Sequence, residues 1–233
     1  MNSNLTEHQT EVFEAIVGDI LINISSPLKG DMQDHFLSLS GAAGVGKSFV
    51  TAQIVKSIIA TLYSQYQYTD EGIYVTAPTH KAVKVIRGML ESHNIKVNCR
   101  TIQSFLGIKP VHDYKTGEES FKVDRTRKNL SKASLLIVDE SSMVSQDLYR
   151  FLQEAFLRGQ VNTILFIGDK YQLLPVSSQS NPVFDLKKQY RLTQIVRQAK
   201  DSNIIKLANK FRDRLISQDF VEIRELIEGT QAD

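Results

Sequence analysis

What this chain has little of narrows it first. One cysteine, Cys99, among 233 residues leaves no intramolecular disulfide framework and fits a reducing compartment. No stretch approaches the roughly 20 apolar residues that span a bilayer. The opening Met1-Asn2-Ser3-Asn4-Leu5-Thr6-Glu7 has no basic segment followed by an apolar run, so no secretory signal is expected. Internal repeats and low-complexity tracts are absent. Hydrophobic (42%) and charged (23%) residues stand in ordinary globular proportion, which leaves disorder, collagen and coiled-coil architectures without support. The expectation is a soluble, cytoplasmic protein that buries a sizeable core.

A net charge of +2 hides an uneven distribution. Residues 79–132 carry twelve Lys/Arg against five acids, a local +7 that leaves −5 for the rest. A cationic segment on an otherwise acidic chain suits contact with a phosphate backbone, although a solvated basic face has the same composition.

Hydrophobic periodicity predicts helices over 5–24 (Val12, Ile16, Ile20, Ile24, with Thr6 as N-cap), 47–66 (Val50, Ile54, Ile58, Leu62), 81–91, 145–157 and 201–215. Apolar runs predict strands over 35–40, 72–77, 135–138 and 163–167, the second stopped by Pro78 and the last by Gly168-Asp169. Residues 25–34, with Pro27 and Gly30, read as loop. Strands alternating with helices argue for a parallel α/β sheet covered on both faces. One stretch breaks the rhythm. Around Lys115-Thr116-Gly117-Glu118 the chain is polar, with β-prone residues on either side, and about 108–132 reads as an inserted hairpin.

The chemistry concentrates at the ends of these strands. Gly41-Ala42-Ala43-Gly44-Val45-Gly46-Lys47-Ser48, followed by Phe49, has the Gly-x-x-x-x-Gly-Lys-Ser spacing of a phosphate-binding loop. Its glycines let the chain curl so that N–H groups point at phosphate oxygens. Lys47 then faces the β- and γ-phosphates of ATP, and the Ser48 hydroxyl coordinates Mg²⁺. Asp139-Glu140 closes the apolar strand 135–138, so both carboxylates emerge at the sheet edge where ligands bind in open α/β folds. Asp139 is the candidate metal-water carboxylate and Glu140 the residue that activates the attacking water.

Taken in order, these segments resemble the N-terminal RecA-like motor domain of a superfamily 1 DNA helicase, nearest the branch that includes the phage Dda and RecD proteins. Thr6-Glu7-His8-Gln9 is similar to the upstream motif whose Gln, here Gln9, reads the adenine edge. Gly41–Ser48 and Asp139-Glu140-Ser141-Ser142-Met143 correspond to motifs I and II. Ala77-Pro78-Thr79-His80-Lys81-Ala82 and Thr101-Ile102-Gln103-Ser104-Phe105-Leu106-Gly107 resemble two motifs that touch single-stranded DNA, with Gln103 standing where some relatives have His. The resemblance thus implies DNA contacts by Pro78, Thr79, His80, Thr101, Ser104 and Phe105. Phe166-Ile167-Gly168-Asp169-Lys170-Tyr171-Gln172-Leu173-Leu174-Pro175-Val176 is similar to motif III, which implies that Gln172 senses the γ-phosphate. Leu192-Thr193-Gln194-Ile195-Val196-Arg197-Gln198 makes Arg197 an arginine that reaches the same phosphate. Phe121, on the inserted hairpin, is a candidate pin for the duplex junction, since an aromatic ring stacks on bases.

The resemblance implies a P-loop NTPase of RecA-like fold over 1–233, with the hairpin as a small subdomain. It implies ATP and Mg²⁺ as cofactors and single-stranded DNA as partner. The activity implied is ATP-driven unwinding, 5′ to 3′, in replication, recombination or repair in a bacterial or phage-infected cell. A second RecA-like domain does not fit in the residues after Arg197, so the chain is expected to be the first half of a longer, monomeric helicase, weak or inactive by itself. A non-translocating, DNA-binding regulatory ATPase is the alternative. A guanine-reading N-K-x-D motif is absent, which disfavours a GTPase. Lys47→Ala should abolish nucleotide binding by removing the phosphate counter-charge; a fluorescent-nucleotide titration giving the parent affinity would contradict the loop assignment.

Overall fold

The computed structural model of the chain describes residues 5–25, 31–66, 72–112, 119–124, 131–171 and 181–194. The predicted helix over 201–215, and with it Gln172 and Arg197, lies outside these residues. Helix α1 (Glu7–Ser25) begins where Thr6 accepts a hydrogen bond from the Gln9 N–H at 3.2 Å. A short helix, α2 (Met32–His35), then leads into strand β1 (Phe36–Gly41). After the phosphate-binding loop come α3 (Lys47–Tyr66), β2 (Ile73–Ala77), α4 (His80–Ser92), β3 (Asn98–Thr101) and the single turn α5 (Ile102–Leu106). Strands β4 (Ile108–His112) and β5 (Glu119–Val123) form the hairpin. The chain continues through β6 (Ala133–Val138), α6 (Gln146–Leu157), β7 (Val161–Gly168) and β8 (Lys188–Leu192).

Six strands form one parallel sheet in the order β3-β2-β6-β7-β1-β8, and β4-β5 pair separately and antiparallel. This is the expected α/β P-loop architecture. Strand alternation sorts its core into two layers. Leu37, Leu39, Val75, Leu135, Ile137, Leu165 and Ile167 face α1, α3 and α4 on one side. Phe36, Tyr74, Leu136, Val138, Ile164 and Phe166 face α5, α6 and the hairpin on the other. Phe36 is completely buried there, edge-on to Tyr149, Phe156 and Phe166 at centroid distances of 5.6–6.1 Å. The periodic apolar residues of α3, Val50, Ile54, Ile58 and Leu62, are all buried against the first layer.

Two strands were not among those expected. β3 (Asn-Cys-Arg-Thr) and β8 (Lys-Gln-Tyr-Arg-Leu) are the outermost strands, so they carry polar residues and lack an apolar run. β8 is held instead by polar bonds. Asp19 of α1 accepts from Lys188 Nζ at 2.8 Å and from the Tyr190 hydroxyl. Burial, with Asp19 beside it, raises the Tyr190 phenol above its ordinary range, so it remains a donor. The expected strand over 35–40 starts one residue later, because Asp31 caps α2 and His35 closes it. The hairpin docks through one face: Ile108 is buried and Phe121 packs partly against the second layer. Its other face sets Lys109 directly opposite Lys122, both exposed. Among the described residues, no helix is long and apolar enough to cross a membrane. Tyr190→Phe should destabilise the fold by about 1 kcal/mol through loss of one hydrogen bond, read from the urea midpoint.

Candidate nucleotide site

Parallel register brings the motifs to one edge. Along it, Thr101 pairs with Ala77, Thr76 with Val138, Val138 with Phe166, Ser40 with Gly168 and Gly41 with Leu192. Each of these positions is within two residues of its strand's carboxyl end, so the segments leaving the strands project into a common space. In open α/β sheets that crevice receives ligands.

At its centre is the loop after β1. Gly44 (φ 80°) and Gly46 (φ 86°) occupy the left-handed region, where a Cβ would be strained. Lys47 Nζ donates to the Gly41 carbonyl at 2.7 Å and to the Ala42 carbonyl at 3.0 Å, which lays its ammonium across the mouth of the loop. Ala43, Gly44 and Ser48 are exposed, while Ala42 and Val45 are buried beneath. The Phe49 ring turns aside toward His93, at 5.8 Å between centroids, leaving its backbone N–H as the group it offers the loop.

Gln9 has a use the sequence did not announce. Its amide is buried, accepts from the Thr6 N–H at 3.1 Å and donates to the Val45 carbonyl at 2.9 Å. It therefore braces the phosphate loop from α1. Next to it, His8 Nε2 lies 3.1 Å from the Arg191 carbonyl oxygen, tying the same helix to the end of β8.

On β6, the Asp139 N–H donates to the Thr76 carbonyl at 2.8 Å, which fixes where the strand ends. Burial, and then the neighbouring Glu140, push the Asp139 carboxyl up to about 6, against the opposing pull of a Glu140 backbone hydrogen bond and the Lys47 charge. The Asp139 carboxylate, held at that cost within the field of Lys47, and the exposed Ser48 hydroxyl at the end of the phosphate loop are oxygen donors of the kind that suit Mg²⁺. Glu140 itself is left-handed (φ 52°, ψ 41°), a conformation rare for a residue with a Cβ. It opens a 3₁₀ turn, Ser141–Met143, whose carbonyls are held by Asn181. This contact of Asn181 was not legible beforehand; nothing in the sequence marks a lone Asn as the partner of residues about forty positions earlier.

The residues expected to touch DNA divide by environment. Thr79 and His80 are exposed at the start of α4, where the Thr79 hydroxyl accepts from the Ala82 N–H at 3.2 Å, and Pro78 is half-buried beside them. Thr101 caps α5 through the Ser104 N–H at 3.2 Å. Phe105 is fully buried, its ring 5.1 Å from that of Tyr74, out of reach of a strand in solvent. The Gln103 side-chain oxygen is buried without a hydrogen-bond partner among the described residues.

Residues 26–178 match the AAA domain family. The chain is 29% identical over 218 residues to the ATP-dependent DNA helicase dda of Enterobacteria phage T4, spanning 90% of this chain and 43% of that protein. Among solved structures it superposes on the Pif1 helicase of Candida albicans (TM-score 0.57, 24% identity, 90% of this chain and 44% of the other). It also superposes on a Bacteroides Pif1 bound to single-stranded DNA (TM-score 0.53, 22% identity, 90% and 46%). The chain thus spans less than half the length of each of these relatives.

The raised Asp139 carboxyl has a consequence for stability. A folded-state value above the ordinary 3.8 means that the ionised form costs stability above about pH 6, and that this cost is relieved as the pH falls through that value. Asp139→Asn should stabilise the protein by about 1–3 kcal/mol at neutral pH. Thermal melts without nucleotide or metal should show the gain and the loss of this acid-side dependence, and Mg²⁺-dependent nucleotide binding should fall in the same variant.

Proposed function

The chain belongs to the AAA domain family, and on that premise we propose that it is the ATP-binding first motor domain of an ATP-dependent DNA helicase. The observation that carries this reading is the meeting of the phosphate loop, Asp139-Glu140 and Gly168-Asp169 at the ends of neighbouring strands of one parallel sheet. The similarity to the T4 helicase supports the choice of a DNA motor among the many P-loop enzymes.

In this reading the loop N–H groups and Lys47 bind the β- and γ-phosphates of ATP, and Gln9 keeps the loop in shape from behind. Ser48 and Asp139 would hold Mg²⁺, which would supply charge neutralisation for the phosphates. Glu140 orients the attacking water and takes its proton. Gln172 and Arg197, which lie outside the described residues, take the γ-phosphate-sensing roles that their motifs imply. Gln172 couples that phosphate to the DNA-facing edge.

Single-stranded DNA runs past the ends of β2 and β3, over Pro78, Thr79, His80, Thr101 and Ser104. The exposed basic residues of α4, Lys81, Lys84 and Arg87, flank this path. Phe121, partly exposed on the hairpin, lies toward the duplex junction. A second RecA-like domain of the same polypeptide closes the other side of the nucleotide site, and alternating closure moves the motor 5′ to 3′. The relatives' greater length is consistent with that arrangement.

In a polypeptide of the relatives' full length, Glu140→Gln should leave Mg²⁺–ATP affinity intact and lower turnover by at least about 100-fold. Single-stranded DNA should stimulate the parent ATPase several-fold. A flat response would favour a regulatory ATPase that holds DNA without moving on it.

A further inference from the structure

The turn that carries Glu140 is held in a conformation that its own residues do not favour. Glu140 is left-handed without being glycine or asparagine, and its side chain makes no capping hydrogen bond. Ser141, next in sequence, is completely buried, and its hydroxyl has no hydrogen-bond partner among the described residues. A strained backbone and an unsatisfied polar atom in adjacent residues persist only where surrounding structure imposes them.

Two contacts impose them. From below, β7 ends at Gly168. A Cβ there would stand 2.6 Å from Ser141 Oγ, 3.1 Å from the Ser142 nitrogen and 3.2 Å from the Phe184 ring, so only glycine lets the turn sit this close. From the side comes Asn181, which is 5% exposed. Its Nδ2 donates to the Ser141 carbonyl at 2.9 Å and to the Ser142 carbonyl at 3.0 Å. Its Oδ1 accepts from the Val183 N–H at 3.0 Å, capping the 3₁₀ turn Pro182–Phe184, whose Val183 and Phe184 are buried in the second core layer. The amide is thus joined at three points, two on the catalytic turn and one on an anchored segment.

We propose that Asn181 is a positioning residue for hydrolysis: its two amide donors hold the turn after β6 so that the Glu140 carboxylate stands where it activates water. This deepens the function proposed above and rests on Glu140 having that role.

Asn181 has a second, purely structural use as the cap of Pro182–Phe184, and a pair of variants separates the two. Serine at this position keeps a capping oxygen for the Val183 N–H but is too short to donate to both carbonyls; alanine removes both functions. In a polypeptide of the relatives' full length, the measurements are amide hydrogen exchange at Met143 and Val144, whose N–H groups donate to the Glu140 and Ser141 carbonyls, Mg²⁺–ATP affinity, and single-turnover hydrolysis with single-stranded DNA present. Asn181→Ser and Asn181→Ala should both speed exchange at these amides about ten-fold and slow hydrolysis by a similar factor, with nucleotide affinity within about two-fold of the parent. The inference is overturned if Asn181→Ser restores parent exchange and hydrolysis, since capping then suffices. It is equally overturned if affinity falls in step with hydrolysis, or if neither exchange nor hydrolysis changes. Glu140→Gln is run alongside. Parent-like hydrolysis by that variant would remove the role of Glu140 itself, whereas the exchange measurement judges Asn181 independently of activity.

Discussion

A strand buried on both faces has one place left for polar chemistry, and that is its end. The four central strands of this sheet, β2, β6, β7 and β1, are lined on one side by Val75, Ile137, Leu165 and Leu39 and on the other by Tyr74, Leu136, Phe166 and Phe36. Because the strands are parallel, their carboxyl ends lie together, and the groups just beyond them meet without any long-range design beyond register. Lys47, Asp139, Glu140 and Asp169 come from three segments distant in sequence. They share a neighbourhood because Ser40 pairs with Gly168 and Val138 with Phe166. A slip of one residue in either pairing would exchange the residues that face the two core layers and scatter the site together.

This dependence explains what was legible in the sequence. Continuous apolar runs report strands buried twice, so β1, β2, β6 and β7 could be read, along with the polar residues that close them. The helix α3 was readable from Val50, Ile54, Ile58 and Leu62 because a single face of it is buried. The outer strands β3 and β8 could not be read, since each is covered on fewer sides and carries residues such as Arg100, Lys188 and Arg191 that also suit loops. The polar bonds that keep β8 in place, from Asp19 to Lys188 and Tyr190, join residues too far apart to be paired by pattern.

Within the site the same limit operates. The phosphate loop is a local object, written in eight consecutive residues, and its spacing carried its meaning. Gln9 and Asn181 act across the fold on carbonyl oxygens, at Val45 and at Ser141 and Ser142. Backbone acceptors leave no trace in side-chain identity, so no motif could record either bond. Phe105 shows the opposite error: a motif suggested an outward role, while a ring of that size beside Tyr74 finds more to gain in the core.

The hairpin sets two exposed lysines opposite each other in register, Lys109 on β4 and Lys122 on β5, while Ile108 and Phe121 secure its other side. Dissolved ions therefore act on it in two opposed ways. Screening relieves the repulsion across the ribbon and so firms its pairing, yet it weakens any hold these lysines have on a polyanion. Ionic strength should accordingly trade a better-ordered ribbon against a looser grip, so the hairpin is stiffest under the conditions in which its charges bind least.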